Sequence, residues 1–175
     1  MWARRIAMVS VATVLALTLC PPEARAGESP RASDDAPLSG RANEIRFERS
    51  ELTIATAEGA HRFRVELALQ PEQQRQGLQH RPFLAEDAGM LFVYDQAGTV
   101  SMWMLNTLIP LDMIFIGADG RIVNIAERTR PKSLETIPSA GPALAVLEVL
   151  GGTSARLGIR PGDRVIHPLL ERARH

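Results

Sequence analysis

Cysteine is almost absent from this chain: its 175 residues include a single one, Cys20. Aromatic residues are also few, at 5%, and the 20 basic and 20 acidic side chains leave a formal net charge of zero. One cysteine cannot form a disulfide within the chain or a metal site of several thiolates. A balanced charge gives nucleic acid no electrostatic attraction. We therefore expect no disulfide, no cysteine metal site and no nucleic-acid partner.

The first 26 residues have the pattern of an export signal. Arg4 and Arg5 precede a mostly apolar run at 6–19, about fourteen residues that suit a signal peptide and are short for a membrane span of about twenty. Residues 24–26 read Ala-Arg-Ala, which is a small-x-small cleavage pattern. The sequence predicts cleavage after Ala26 and an exported, periplasmic protein with no membrane span in the mature chain.

A lipoprotein acylated at Cys20 is the less favoured alternative. Lipoprotein signals have a small residue directly before the cysteine. Leu19 before Cys20 and Pro21 after it therefore fit that motif poorly. If the signal is removed, the mature chain has no cysteine, and thiol catalysis is excluded. Its 17 basic and 19 acidic residues then give a net charge near minus two.

The remaining chain predicts a linker, one domain and a short tail. Residues 27–43 are rich in Gly, Ser, Pro and Asp and predict a flexible linker. Residues 44–170 have the length of a single domain, and 171–175 form a tail. Hydrophobic periodicity and turn residues in the domain predict a β-rich α+β fold, a small barrel or sandwich of about eight mostly antiparallel strands with two short helices. Predicted strands include 44–47, 52–56, 61–69, 89–94, 143–150 and 165–169.

The segment MWMLNTLIPLDMIFI, residues 102–116, has two apolar runs on either side of a turn. It predicts a central hairpin with its loop at 106–110, which would place Trp103 opposite Met113. Asp112 would then share a face with Ile114 and the other apolar residues of its strand. A long loop rich in Thr, Pro and Ser follows at 128–142.

Short motifs along the domain carry a family resemblance. They are GMLF at 89–92, WMLNT at 103–107, PLD at 110–112, LEV at 147–149, GD at 162–163, and Gln74, Arg75, Gly77, Leu78 and Arg81. Together they resemble the bacterial and archaeal family known as domain of unknown function 192. Leu105 replaces a lysine often seen in that family, and Gln79 replaces a methionine. The resemblance implies a fold and no reaction.

Asp112 and Glu148 are acids within apolar strand patterns, where an ionised carboxylate needs a partner or takes up a proton. One hypothesis makes them a catalytic pair with Arg81, in a metal-free hydrolase or lyase acting on cell-envelope glycan or peptide. The alternative is structural, with Arg75 or Arg81 pairing one acid and backbone N–H groups satisfying the other. The structural interpretation is the favoured one.

Trp103, Asn106 and Thr107 are candidate ligand-binding residues. Arg81 and His80 are further candidates for the same site. An aromatic platform with an amide and a hydroxyl suits a small molecule, glycan or peptide. The simpler interpretation is that the polar residues hold a turn and Trp103 belongs to the core. His80 is also a candidate acid-base group, or an ordinary surface histidine.

The sequence favours a non-enzymatic binding or accessory protein with a small polar site near the central hairpin. It has none of the common serine-hydrolase or nucleotide-binding motifs, and its four histidines are too scattered to predict a metal site or a cofactor. A third hypothesis is a module that pairs a peptide with an exposed sheet edge. It rests on LGIRPGDRVI at 157–166, which is locally similar to PDZ domains.

Overall fold

The computed structural model describes residues 45–172. The predicted signal peptide, Cys20, the linker and the last three residues of the tail lie outside this range. No helix among the described residues is long and apolar enough to cross a membrane.

Nine strands and three short helices follow one another in the described range. The strands are β1 (Glu48–Thr56), β2 (Gly59–Ala68), β3 (Ala88–Gly98), β4 (Ser101–Met102), β5 (Leu111–Ile116), β6 (Ile122–Ala126), β7 (Ile137–Pro138), β8 (Ala143–Leu150) and β9 (Arg164–Ile166). The helices are α1 (Pro71–Gln76), α2 (Thr153–Arg156) and α3 (Pro168–Arg172). The predicted β-rich, mostly antiparallel fold is therefore confirmed, with one strand and one helix more than expected.

Seven of the strands form one sheet in the order β6-β5-β8-β3-β2-β1-β9, and β4 pairs with β7. Only β2 and β3 run parallel, because α1 and the loop after it carry the chain back across the sheet between them. The sheet curls until its two edges meet at a bridge between Arg121 and Arg164. Ala140 N–H also donates to Asn124 Oδ1 beside β6 at 2.9 Å. The two end strands of the seven-stranded sheet, five residues in β6 and three in β9, are thus short and partly covered, which leaves a peptide little edge to pair with there.

The predicted central hairpin is wrong. Strand β5 pairs with β6 and β8, and residues 102–107 do not pair with it. Asn106 has a φ of 55°, and Met104 N–H donates to Ser133 O at 3.1 Å. These contacts fold residues 103–107 into a loop across the sheet instead of a strand beside it.

Two other predicted boundaries differ from the structure. No strand forms at 45–47, and β1 begins at Glu48. The last strand ends at Ile166, because Pro168 suits the first turn of a helix, where no backbone N–H is needed, and α3 starts there.

The apolar side chains fall into two clusters, one on each face of the sheet. The barrel face includes Leu52, Phe63, Ile114 and Leu147, together with Val165 from the edge strand β9. The loop face includes Met90, Phe92, Met113, Phe115 and Val146, which are covered by Leu78, Leu84, Val100 and Met104. Strands β5 and β8 are buried almost throughout because both of their faces are covered.

Candidate functional site

A narrow cleft opens on the loop face, where α1 and two loops meet above the sheet. Its volume is about 30 Å³, which is room for one or two water molecules or the end of a ligand. The lining consists of Gln74, Arg75, Gln76, Gly77, Leu78, Gln79, Phe92, Trp103, Leu105, Thr107 and Glu148.

Helix α1 is fixed to the sheet by its own side chains. Gln73 Oε1 accepts the N–H groups of Leu69 and Gln70 at 2.9 Å each, which satisfies donors before the first turn. Gln74 Nε2 donates to Val93 O of β3 at 3.0 Å. The helix ends at Gly77, whose φ of 48° favours glycine. One wall of the cleft is therefore rigid.

The rim of the cleft consists of loops that hold one another in strained conformations. His80 N–H donates to Asn106 O at 2.9 Å, Asn106 Nδ2 donates to Gln79 Oε1 at 3.3 Å, and Lys132 N–H donates to Thr107 O at 3.1 Å. In the described range, the non-glycine residues with positive φ are His80, Asn106, Arg128 and Lys132, and three of them make these contacts. Left-handed backbone at such residues costs about 1–3 kcal/mol each and tends to occur at functional sites.

Glu148 forms the floor of the cleft. The strand register places it directly opposite Met90 on one side and Met113 on the other, so its carboxyl points to the loop face. Only 4% of the residue is exposed, and within residues 45–172 it makes no hydrogen bond or ion pair. Burial raises the pKa of Glu148 to about 8, so the carboxyl is mostly protonated at neutral pH. Burial and then the charge of Glu148 raise the pKa of nearby Tyr94 to about 12.

Asp112 lies on the opposite face of the sheet and has a different role. It stands opposite Val149 in the register and accepts three backbone N–H groups, from Arg128 and Gly152 at Oδ1 and from Ser154 at Oδ2, each at 2.8 Å. These bonds join the start of β5 to the 128–142 loop and to α2. Because Asp112 and Glu148 point to opposite faces, the structure separates the two acids that the hydrolase hypothesis requires in one cleft.

The other candidate residues fall into three groups. Trp103 is 57% exposed at the mouth of the cleft, and the buried Thr107 lines its wall. Asn106 and His80 hold the rim and lie outside the lining. Arg81 faces a separate pocket, where it pairs with Glu66 and lies 5.7 Å from the centre of the Phe47 ring.

Arg75, the other arginine considered as a partner for an acid, pairs with Glu72 at 3.0 Å. Sequence reasoning did not identify the glutamines of the cleft wall. Gln74 and Gly77 do belong to the motif that carries the family resemblance, so a signal was present. Among the described residues, no group of three or more His, Asp, Glu or Cys side chains is placed to hold a metal ion.

Comparisons with known proteins agree with this architecture. A solved structure from Sinorhizobium meliloti 1021, provisionally described as a transcription regulator, is 44% identical, with a TM-score of 0.68 over 70% of this chain and 96% of that chain. A protein of unknown function from Novosphingobium aromaticivorans DSM 12444 is 40% identical, with a TM-score of 0.67 over 81% of this chain and 100% of that chain. No curated protein matches the sequence.

The family model named DUF192, described as "Uncharacterized ACR", matches residues 53–167. This range runs from β1 to the end of β9 and includes every residue that lines the cleft. The chain belongs to the DUF192 family.

Proposed function

We propose that this protein is an exported, non-enzymatic binding protein whose cleft receives a cationic group, such as the ammonium of a primary amine on a peptide or small molecule. The observation that carries the proposal is the carboxyl of Glu148, which lies at the floor of a cleft with no partner among the described residues.

A cationic ligand would supply the partner that Glu148 lacks. In the free protein, burial keeps this carboxyl mostly protonated at pH 7, since its pKa is about 8. An ammonium group in the cleft favours the ionised form, so binding lowers the pKa and releases a proton. At the mouth, Trp103 offers an exposed indole face, which attracts cations by about 0.5–1 kcal/mol at exposed sites. The floor and the mouth therefore favour the same ligand chemistry.

The lining supports binding over hydrolysis. Glycosidases use two carboxyl groups about 5–9.5 Å apart. The cleft has one, Glu148, and Asp112 lies on the other face of the sheet. The remaining polar lining residues are amides, one hydroxyl and Arg75, which is paired with Glu72.

A glycan is the second candidate ligand, and the protonated state of Glu148 favours it. A neutral carboxyl donates a hydrogen bond to a sugar hydroxyl, and Trp103 would stack on the sugar ring. The two ligands differ in their pH dependence. An amine binds more tightly as Glu148 ionises. A sugar that accepts a hydrogen bond from the protonated carboxyl binds less tightly.

The test is a titration with butylamine and with N-acetylglucosamine from pH 6 to pH 9. The chain has two tryptophans, Trp2 and Trp103, and the predicted cleavage leaves only Trp103, whose fluorescence then reports on the cleft. Butylamine affinity should rise by about tenfold per pH unit below pH 8 and level off above it. Glu148→Gln should remove this rise, and Glu51→Gln, an exposed strand glutamate, should leave it intact.

Each other outcome has a definite meaning. Affinity for N-acetylglucosamine that falls above pH 8, without amine binding, would favour the glycan. Binding of neither probe, or an amine affinity independent of Glu148, would contradict the cleft as a binding site. Export is tested separately by sequencing the N-terminus of protein recovered from the periplasm, where Gly27 is the expected first residue.

A further inference from the structure

A second pocket lies on the loop-face side of β1, β2 and β3 and is distinct from the cleft. Its volume is about 260 Å³, slightly below the 300 Å³ or so at which small-molecule pockets usually begin. The lining consists of Arg49, Arg64, Val65, Glu66, Arg81, Leu84, Ala88 and Gly89. None of these residues lines the Glu148 cleft.

Two of the three guanidinium groups are held in position by acidic partners. Arg64 donates to both carboxylate oxygens of Asp87, at 3.0 and 2.8 Å. Arg81 donates through one nitrogen to Glu66 and lies over the ring of Phe47. A guanidinium has five N–H donors, and these contacts use two of Arg64 and one of Arg81. Several donors in each group therefore remain available to a ligand.

Arg49 adds a third positive charge. It stands directly opposite Glu66 in the register of β1 and β2, while Glu66 is paired with Arg81. Within residues 45–172, Arg49 makes no ion pair. The lining has three guanidinium groups and one carboxylate, and with the Asp87 carboxylate that pairs with Arg64 the net charge around the pocket is positive by one.

The remaining lining is apolar. Leu84 is almost fully buried, Ala88 lies at the start of β3, and both pack in the loop-face cluster, whereas the side chain of Val65 packs on the barrel face. The pocket thus combines forked donors with a small apolar wall. Guanidinium groups fit the planar, two-oxygen geometry of a carboxylate, which they bind through paired hydrogen bonds.

We propose that this pocket binds an organic carboxylate with a short apolar tail. The carboxylate lies among the three arginines, and the tail contacts Leu84 and Ala88. The pocket is small, so the ligand has only a few carbon atoms beyond its head group. The proposal is independent of the amine-binding cleft.

The test is calorimetry with hexanoate, acetate, hexylamine and hexyl phosphate, on protein recovered from cells that express the full chain. Hexanoate should bind at least about tenfold more tightly than acetate, because its tail buries apolar surface, and hexylamine should not bind. Arg49→Ala should weaken hexanoate binding at least about tenfold. Arg62→Ala is the matched control: Arg62 is an exposed arginine of β2 on the same side of the sheet and outside the pocket.

Four results would overturn the proposal. Hexylamine binding as tightly as hexanoate would make the pocket merely apolar. Acetate binding as tightly as hexanoate would remove the tail from the site. Tighter binding of hexyl phosphate than of hexanoate would assign the site to phosphates. Arg49→Ala with unchanged affinity and an unchanged unfolding midpoint would exclude the arginines. Glu148→Gln should leave hexanoate binding unchanged, which separates this site from the cleft.

Discussion

Replacing Glu148 with glutamine should make the protein more stable at alkaline pH. The amide has nearly the shape of the carboxyl and is neutral at every pH. Among the described residues, Glu148 has no hydrogen bond or ion pair that the substitution would break. The change therefore removes one buried charge and little else.

The sign and size of the effect follow from the pKa. Burial raises the pKa of Glu148 from 4.5 to about 8. Below pH 4.5 the carboxyl is protonated in both the folded and the unfolded chain. As the pH rises from there, the unfolded chain ionises first, so the free energy of unfolding falls until about pH 8. Each pKa unit corresponds to about 1.36 kcal/mol, so the full loss approaches about 5 kcal/mol.

Urea unfolding at pH 5, 7 and 9 measures this loss. The wild type and Glu148→Gln should agree within about 1 kcal/mol at pH 5, and the variant should be more stable by roughly 3–5 kcal/mol at pH 9. Glu51→Gln, at an exposed position of β1, is the control and should follow the wild type. If the free energies of unfolding of wild type and Glu148→Gln changed with pH in the same way, Glu148 would be either exposed or paired. The argument for the cleft would then fail.

Three further substitutions test the fold around the sites. Asp112→Asn should destabilise the protein by about 2–4 kcal/mol in urea unfolding, because an amide at this buried position leaves at least one of three N–H groups without an acceptor. A loss below 0.5 kcal/mol would contradict this role. Gly89→Ala should lower the free energy of unfolding by about 1–3 kcal/mol, since its Cβ would lie 2.6 Å from Glu148 O. In the control Gly98→Ala, the Cβ meets nothing within 4 Å, and the change should be tolerated. Equal losses in the two variants would refute the contact. Burial lowers the pKa of His167, partly offset by the charge of Glu171, so the stability from its neutral ring is present above pH 6.5 and lost as the pH falls. His167→Gln should flatten that acid-side loss in unfolding midpoints measured at pH 5 and pH 7, and an unchanged slope would show that another group causes it.

Strands with a clear pattern were predictable from sequence alone. Residues 143–150 form β8 with the predicted bounds, and the alternation at 61–69 corresponds to β2. The apolar run at 102–105 was not predictable in the same way, because a strand and a loop packed on a core both require apolar residues. Met104 is buried in the loop-face cluster, and its backbone N–H donates to the carbonyl of Ser133, almost thirty residues later. Such a contact leaves no trace in local periodicity.

The candidate site shows where sequence reasoning reaches its limit. The hydrophobic pattern correctly identified Asp112 and Glu148 as acids within apolar strands. The alternation of side chains along each strand also shows which neighbours share a face with each acid. It does not give the register between two strands, and a shift of one residue moves every side chain to the other face. The observed register places Asp112 opposite Val149; a slip of one position would have brought it opposite Glu148 and created the catalytic pair.

That single register separates the two acids that the hydrolase hypothesis needs in one cleft. It leaves Asp112 to the backbone N–H groups on the barrel face and leaves Glu148 between Met90 and Met113, whose side chains offer no counter-charge. A lone carboxyl in such surroundings gains most from a cation that arrives with the ligand. Among the described residues the cleft thus has no counter-charge of its own for Glu148, and this is the ground on which we propose binding as its function.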